Sequence, residues 1–284
     1  VDRRLGTNET LRKVVRRLHE KGLRVVLDGV FNHTGRDHFA FYDLRQKRQD
    51  SPYCGWFKEV DFFFFIKYGD GFTYRAWEGH EELPQLNLEN REVREHLFGA
   101  VEQIIGEFDI DGLRLDVAYA LPQDFLRELS EFTKGKKTDF FLLAEMIHGE
   151  YRRFAIDTKV QSVTNYESYK ALWSAHNDGN YFELAHALER NFGGRTKENG
   201  QGEGWDDGVQ DDGARGENAR DAAVLYNFAD NHDVDRIASK LKDERHLFPL
   251  YALLFTIPGA PSVYYGSEFG IDGRKGAHSD TSLR

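Results

Sequence analysis

The sequence holds one cysteine, Cys54, in 284 residues. That excludes an internal disulfide and fits a reducing compartment. No apolar run reaches 18 residues, so no transmembrane helix is expected, and no signal-peptide pattern opens the chain. Positive charge is in deficit, with 38 Lys and Arg against 48 Asp and Glu, a formal net charge of -10. This disfavours nucleic acid and anionic membrane surfaces as partners, although the sign identifies no ligand. No glycine-rich phosphate loop follows a strand candidate, and neither HExxH nor a paired CxxC pattern occurs. Those gaps weigh against a dinucleotide-binding open sheet and against a metal-dependent hydrolase built on His33, His232 and Asp233.

What is present suits a large folded core: 40% hydrophobic residues, 30% charged and 14% aromatic. The length allows one large domain or two small ones. Aromatics at this level can stack on sugar rings or simply fill the core. The chain begins on Val1, without Met, and its first element reads like the middle of a domain, so a piece of a longer protein is expected.

The run FDIDGLRLDVA at 108–118 organises the rest. Residues 110–115 suit a buried strand with Asp116 at its C-terminal end. Side chains two apart on a strand share a face, so Arg114 can hold and aim the Asp116 carboxylate. The same pattern also describes a purely structural ion pair. Upstream, Thr7 can cap a helix from Glu9 to about Lys21, and 23–27 is a short apolar strand leading into Asp28, Asn32 and His33. A histidine there suits a ligand hydroxyl, a metal, a proton shuttle or a satisfied structural role. Residues 34–90 lack helical periodicity and are rich in aromatics, which predicts an inserted subdomain over the strand ends. Within it, most of Phe62–Ile66 should be buried, because an exposed run would aggregate.

A helix at 90–107, capped by Asn90, returns the chain to the central strand. A helix at 123–133 leads to strand 140–144 and Glu145, which is a candidate general acid or a strand-end salt-bridge partner. Strand 160–164 and helices 167–177 and 180–192 follow. Residues 193–222 turn Gly-rich and acidic, which predicts a flexible surface insertion; Asp206, Asp207, Asp211 and Asp212 match no complete calcium loop. Strand 224–228 then delivers His232 and Asp233, helix 245–257 follows, and 261–265 is the last strand. Strands alternating with helices, with polar residues at the C-terminal tips, predict an α/β fold of the (β/α)8 TIM barrel type.

Six motifs, in order across nearly the whole chain, resemble the α-amylase family, glycoside hydrolase family thirteen: DGVFNH at 28–33, LPQLN at 83–87, GLRLDVA at 112–118, LLAEMIH at 142–148, FADNHD at 228–233 and PSVYYGSE at 261–268. The resemblance implies a retaining hydrolase, with Asp116 as nucleophile, Glu145 as general acid/base and Asp233 as the third carboxylate. It implies that Arg114 orients Asp116, that His33 and His232 bind sugar hydroxyls, and that Asp28 supports the site. It makes 34–90 the family's inserted B subdomain. The barrel would be incomplete, because the family's first two strands are absent, and it would have unpaired edges.

The combination of LPQLN, EMIHGEY, VTNYE and HNDGNYFE is most similar to intracellular cyclomaltodextrinases, neopullulanases and maltodextrin glucosidases. An α-glucan oligosaccharide substrate and a cytoplasmic location are therefore expected, and a homodimer of the whole protein is allowed. No cofactor is required. Many family members bind calcium beside the residue equivalent to Asn32, but Gln85 stands where those relatives often have Asp, and an amide is the weaker ligand. A glucanotransferase on the same site, or a non-catalytic amylase-like binding protein, are the alternatives. The second predicts loss of an acid among Asp116, Glu145 and Asp233, and all three are present.

Overall fold

The computed structural model describes residues 1–63, 69–192, 224–276 and 281–283. The first helix starts where Thr7 predicts: its hydroxyl accepts from the Thr10 N–H at 3.1 Å, and α1 runs Asn8–His19. The chain divides into two units, Val1–Met146 with Asp157–Ser162, and Ile147–Ile156 with Val163–Arg284.

The first unit continues with strand β1 (Val26–Gly29), helix α2 (Phe39–Lys47), a hairpin of β2 (Ala76–Trp77) and β3 (His80–Pro84), helix α3 (Arg91–Phe108), strand β4 (Gly112–Leu115), helix α4 (Gln123–Lys136) and strand β5 (Phe141–Ala144). Asn90 caps α3, its side chain accepting from the Glu92 N–H at 2.9 Å. β4 lies between β1 and β5, parallel to both, with Leu113 level with Leu27 and Leu142. Gly112 makes that spacing possible, because a β-carbon there would collide with the Phe141 carbonyl oxygen. Leu113, Leu115 and Leu142 are buried, as are Phe125, Leu126 and Leu129 of α4. Each such side chain contributes about 1.5–3 kcal/mol on leaving water.

Asp111 anchors the entry to β4. Its carboxylate accepts from the Val25 N–H at 2.7 Å and pairs with His19 at 2.7 Å and Lys137 at 2.8 Å. Burial pushes its pKa up, but Lys137, the Val25 N–H and His19 outweigh that and lower it to about 2.

The second unit carries α5 (Tyr151–Thr158), β6 (Ser162–Thr164), α6 (Tyr166–Asp178), α7 (Phe182–Phe192), β7 (Val224–Phe228), α8 (Ile237–Lys240), α9 (Leu247–Thr256) and β8 (Ala260–Ser262). The unit boundary runs inside α5 and β6. β7 and β8 are parallel, and the Asn165 N–H just past β6 donates to the Tyr226 carbonyl at 2.9 Å. Ala171, Leu172, Leu184, Ile237, Leu250 and Leu254 form the core of this unit. Among the described residues no helix is long and apolar enough to cross a membrane.

Three expectations need correction. The first strand is not 23–27 but 26–29, and Leu23 and Val26 are exposed. Among the described strands β1 is bonded to β4 alone, the unpaired edge that the resemblance implied. Segment 34–90 does contain a helix, α2, which buries Ala40, Phe41 and Leu44. Nine residues are too few for a repeating pattern to show. Helix α5 was also not expected; it buries Tyr151, Phe154 and Ala155, one face at three- and four-residue spacing. Phe63 is 89% exposed, and the expectation that most of 62–66 are buried rests mainly on residues outside the described ones. Asp61 accepts from the Phe63 N–H at 2.7 Å and turns the chain so that residue 63 stands at a tip. Phe64, Phe65 and Ile66, and the acidic stretch 193–222, lie outside the described residues.

Candidate active site

Strand register assembles the first group of charges. Asp28 on β1 is level with Arg114 on β4, and Leu115 is level with Ala144, so Asp116 and Glu145 follow at the next position of adjacent parallel strands. Asp28, Arg114, Asp116 and Glu145 therefore share one face at the C-terminal tips. Arg114 joins them: Nη1 lies 2.6 Å from Asp116 Oδ1 and 3.3 Å from Asp28 Oδ1, and Nη2 lies 2.9 Å from Glu145 Oε1. Glu145 Oε2 accepts from the Val117 N–H at 2.7 Å. Burial works against the Arg114 charge, but Glu145, Asp28 and Asp116 overcome it and raise the guanidinium above its ordinary value. A planar guanidinium presents its two amino groups in a fixed fork and can align two carboxylates in set directions, where lysine offers a single point charge.

His33 stands beside this group. Burial lowers its pKa below the ordinary value, and the Asp116 charge pulls only partly the other way. The Asn32 amide nitrogen lies 3.3 Å from His33 Nδ1. An amide nitrogen only donates, so neutral His33 accepts at Nδ1 and carries its hydrogen on Nε2, ready for an oxygen. Trp77, on the β2–β3 hairpin, stacks on the His33 ring at 6.4 Å with 15° between planes and meets Tyr119 at 6.2 Å. Neither Trp77 nor Tyr119 was assigned a site role from sequence. The available signal was a Trp beside the Glu78–Gly79 turn of an aromatic segment.

Asn32 and Gln85 test the calcium question. Both are buried, and the Gln85 amide nitrogen donates to Asn32 Oδ1 at 2.8 Å. The Asn32 oxygen, the one a cation would use, thus accepts an N–H in this arrangement. Among the described residues no group of three or more His, Cys, Asp or Glu is arranged around a metal position.

In the second unit, β7 leads to His232 and Asp233, whose side chains lie 3.1 Å apart, with Lys275 Nζ 3.4 Å from Asp233. The Asn231 side chain accepts from the Asp233 N–H at 2.8 Å, and its amide donates to Tyr166 at 3.2 Å. Below them is a buried network that the sequence reading missed. Asp230 Oδ2 accepts from the Ile237 N–H at 2.8 Å and from the Ser267 hydroxyl at 2.7 Å. Arg236, 1% exposed, donates to the Tyr265 and Leu283 carbonyls and to Ser267, and its guanidinium lies 4.2 Å from the Tyr264 ring centre. Burial raises the Asp230 pKa despite these donors. The sequence signal was an Arg three residues past the DNHD run.

The structure therefore brings Asp28, His33, Arg114, Asp116 and Glu145 together in one unit and His232 with Asp233 in the other. A sequence profile described as the catalytic domain of alpha-amylase matches residues 1–283. A cyclomaltodextrinase from a Bacillus species is 30% identical over 277 residues, covering 96% of this chain and 45% of its own. Neopullulanase 2 from Thermoactinomyces vulgaris is 31% identical over 282 residues, covering 96% and 43%. The chain thus spans less than half the length of these relatives. The solved cyclic alpha-maltosyl-(1→6)-maltose hydrolase from Arthrobacter globiformis, in complex with cyclic alpha-maltosyl-(1→6)-maltose, is similar with a TM-score of 0.80 and 29% identity, over 99% of this chain and 58% of that one.

Proposed function

This chain belongs to the alpha-amylase catalytic-domain family, whose α/β barrel class its parallel strands and crossover helices follow, and from that premise we propose that it works as a retaining glycoside hydrolase on α-glucosidic linkages of maltodextrins, cyclodextrins or related α-glucans. The observation that carries this is the Arg114 fork, with Asp116 on one amino group and Glu145 on the other. A retaining displacement needs two carboxyl groups about 5–5.5 Å apart, close enough for one to attack while the other protonates the leaving oxygen. Two acids held on the two amino groups of one guanidinium are neighbours, which supports this reading.

In this reading Asp116 attacks the anomeric carbon as Glu145 gives its proton to the departing glycosidic oxygen. The covalent intermediate forms; water then bonds to the anomeric carbon as the bond to Asp116 breaks and frees its carboxylate, while Glu145 takes the water's proton. Arg114 keeps Asp116 ionised and aimed. His33 donates from Nε2 to a sugar hydroxyl, and Trp77 offers a flat apolar face for a pyranose ring. His232 and Asp233 bind hydroxyls whose contacts strengthen as positive charge grows on the ring. The scheme calls on no calcium ion. An intracellular working place belongs to the same proposal.

The test is to incubate the whole protein with maltotriose, β-cyclodextrin and pullulan and to follow products and their anomeric form at early times. α-Anomeric small sugars are the expected result. Longer chains formed by disproportionation would replace hydrolysis by transfer, and inertness of the folded protein toward all three would overturn the assignment.

A further inference from the structure

We infer that Val117 is a positioning residue for the proton-transferring carboxyl group of Glu145, acting through its backbone N–H and its left-handed backbone. The inference rests on the glycosidase reading above, because it needs Glu145 to move a proton. It begins with the strand ladder. The Asp116 N–H still donates to the Gly29 carbonyl at 3.1 Å, and the Glu145 N–H donates to the Leu115 carbonyl at 3.0 Å. Val117 holds the first backbone donor past that ladder. Instead of a carbonyl it takes Glu145 Oε2, at 2.7 Å.

It reaches that oxygen with φ 41° and ψ 44°. A β-branched residue there is strained, and such strain persists only where the surroundings over-determine it. Here they do. The Val117 carbonyl accepts from the Ala120 N–H at 2.9 Å and starts a short helical turn, and Ala118 is fully buried. The turn that leaves the strand thus swings one N–H onto the acid next door. Glu145 is then gripped at both oxygens, by Arg114 at Oε1 and by Val117 at Oε2. A carboxyl group held at two points cannot rotate freely about its last bond, and a proton donor must be aimed to within a fraction of an ångström.

The chemistry agrees with the direction of the bond. Glu145 starts protonated. As the glycosidic C–O bond breaks, its O–H bond breaks too, the proton goes to the leaving oxygen, and the anomeric carbon gains a bond to Asp116. Glu145 ends as a carboxylate, to which the Val117 N–H bonds more strongly than to the neutral acid. The bland alternative is that the contact merely caps the turn after β4. The two differ in what they demand of the leaving group.

The experiment replaces Val117 by its α-hydroxy acid in the whole protein, so that an ester oxygen stands where the N–H was and the side chain is unchanged. Val117→Gly is the companion variant, since glycine adopts the left-handed backbone and keeps the N–H. Each is assayed on maltotriose, whose leaving group needs a proton, and on α-maltosyl fluoride, whose leaving group does not. We expect the ester to lose roughly 10- to 100-fold in kcat/KM on maltotriose, part of the usual worth of a positioned acid. On the fluoride it should stay within about threefold, and Val117→Gly, which keeps the N–H, should lose less on maltotriose than the ester does. Equal losses on the two substrates, or no loss on maltotriose, would overturn the role of Val117 alone. A wild-type protein inert toward both would instead overturn the glycosidase reading and this assignment with it.

Discussion

In the first unit the acids at the strand tips are themselves the buried, cross-linked groups: Glu145 is nearly buried and Asp116 largely so, and one guanidinium serves both. In the second unit His232 and Asp233 are more open, and the buried ion work is done beneath them by Asp230, Ser267 and Arg236. The difference separates two uses of arginine. Arg114 faces groups that are proposed to react, so its loss should appear mainly in catalysis. Arg236 faces carbonyls, a hydroxyl and an aromatic ring, so its loss should appear mainly in stability.

Substitutions can break or sharpen that contrast. Asp116→Asn should lower kcat on maltotriose by at least about 10³-fold, since an amide is a poor nucleophile; near-normal turnover would refute the assigned role. Arg236→Ala should cost about 3–5 kcal/mol of stability, because the buried partners of a charged group are left unsatisfied. An unchanged urea midpoint would show that the network carries little. Arg114→Ala should reduce kcat/KM by roughly 100-fold, through loss of an aimed carboxylate pair, with a far smaller change in unfolding midpoint than Arg236→Ala. If the two arginine variants behaved alike, the contrast would collapse.

Asp111 offers a control within the first unit, a buried acid with no proposed chemistry. Its folded pKa, about 2, lies below that of an ordinary unfolded aspartate. The stability it adds is therefore fully present above the unfolded value and is lost as pH falls from about 4 to about 2. Asp111→Asn should cost about 2 kcal/mol at neutral pH and flatten the acid limb of a stability-against-pH curve. An acid limb unchanged by the substitution would move that effect to other carboxylates. The smallest expected effect is that of a chelator: EDTA should leave both activity and unfolding midpoint unchanged, as the amide at Gln85, a weaker calcium ligand than a carboxylate, implies. A fall in either, restored by calcium, would refute it.

Much of the fold was legible because its signals are local. Thr7 and Asn90 cap the helices that their side chains announced, and the apolar strands β4, β5 and β7 lie within a residue or two of where alternation put them. The Arg114–Asp116 pairing followed from strand periodicity and is present at 2.6 Å. Short elements were illegible for the converse reason. Helices α2 and α5 have nine and eight residues, too few for a period to stand out from composition. The unpaired edge at β1 was legible only through the resemblance, because pairing depends on which strands lie alongside rather than on the strand itself.

What the sequence determined by itself is the set of acids, histidines and arginine at the strand ends and their order along the chain. Strand length and two-residue periodicity place such residues without reference to any neighbour. What only the tertiary structure decided is which of them meet. Parallel register set Asp28 level with Arg114, Gly112 let the strands close, and the turn at Val117 put a backbone N–H on Glu145. Those contacts join residues 28 to 86 positions apart in sequence. Hydrogen-bond ladders and burial select such pairings only when the whole sheet forms, and no local pattern encodes them.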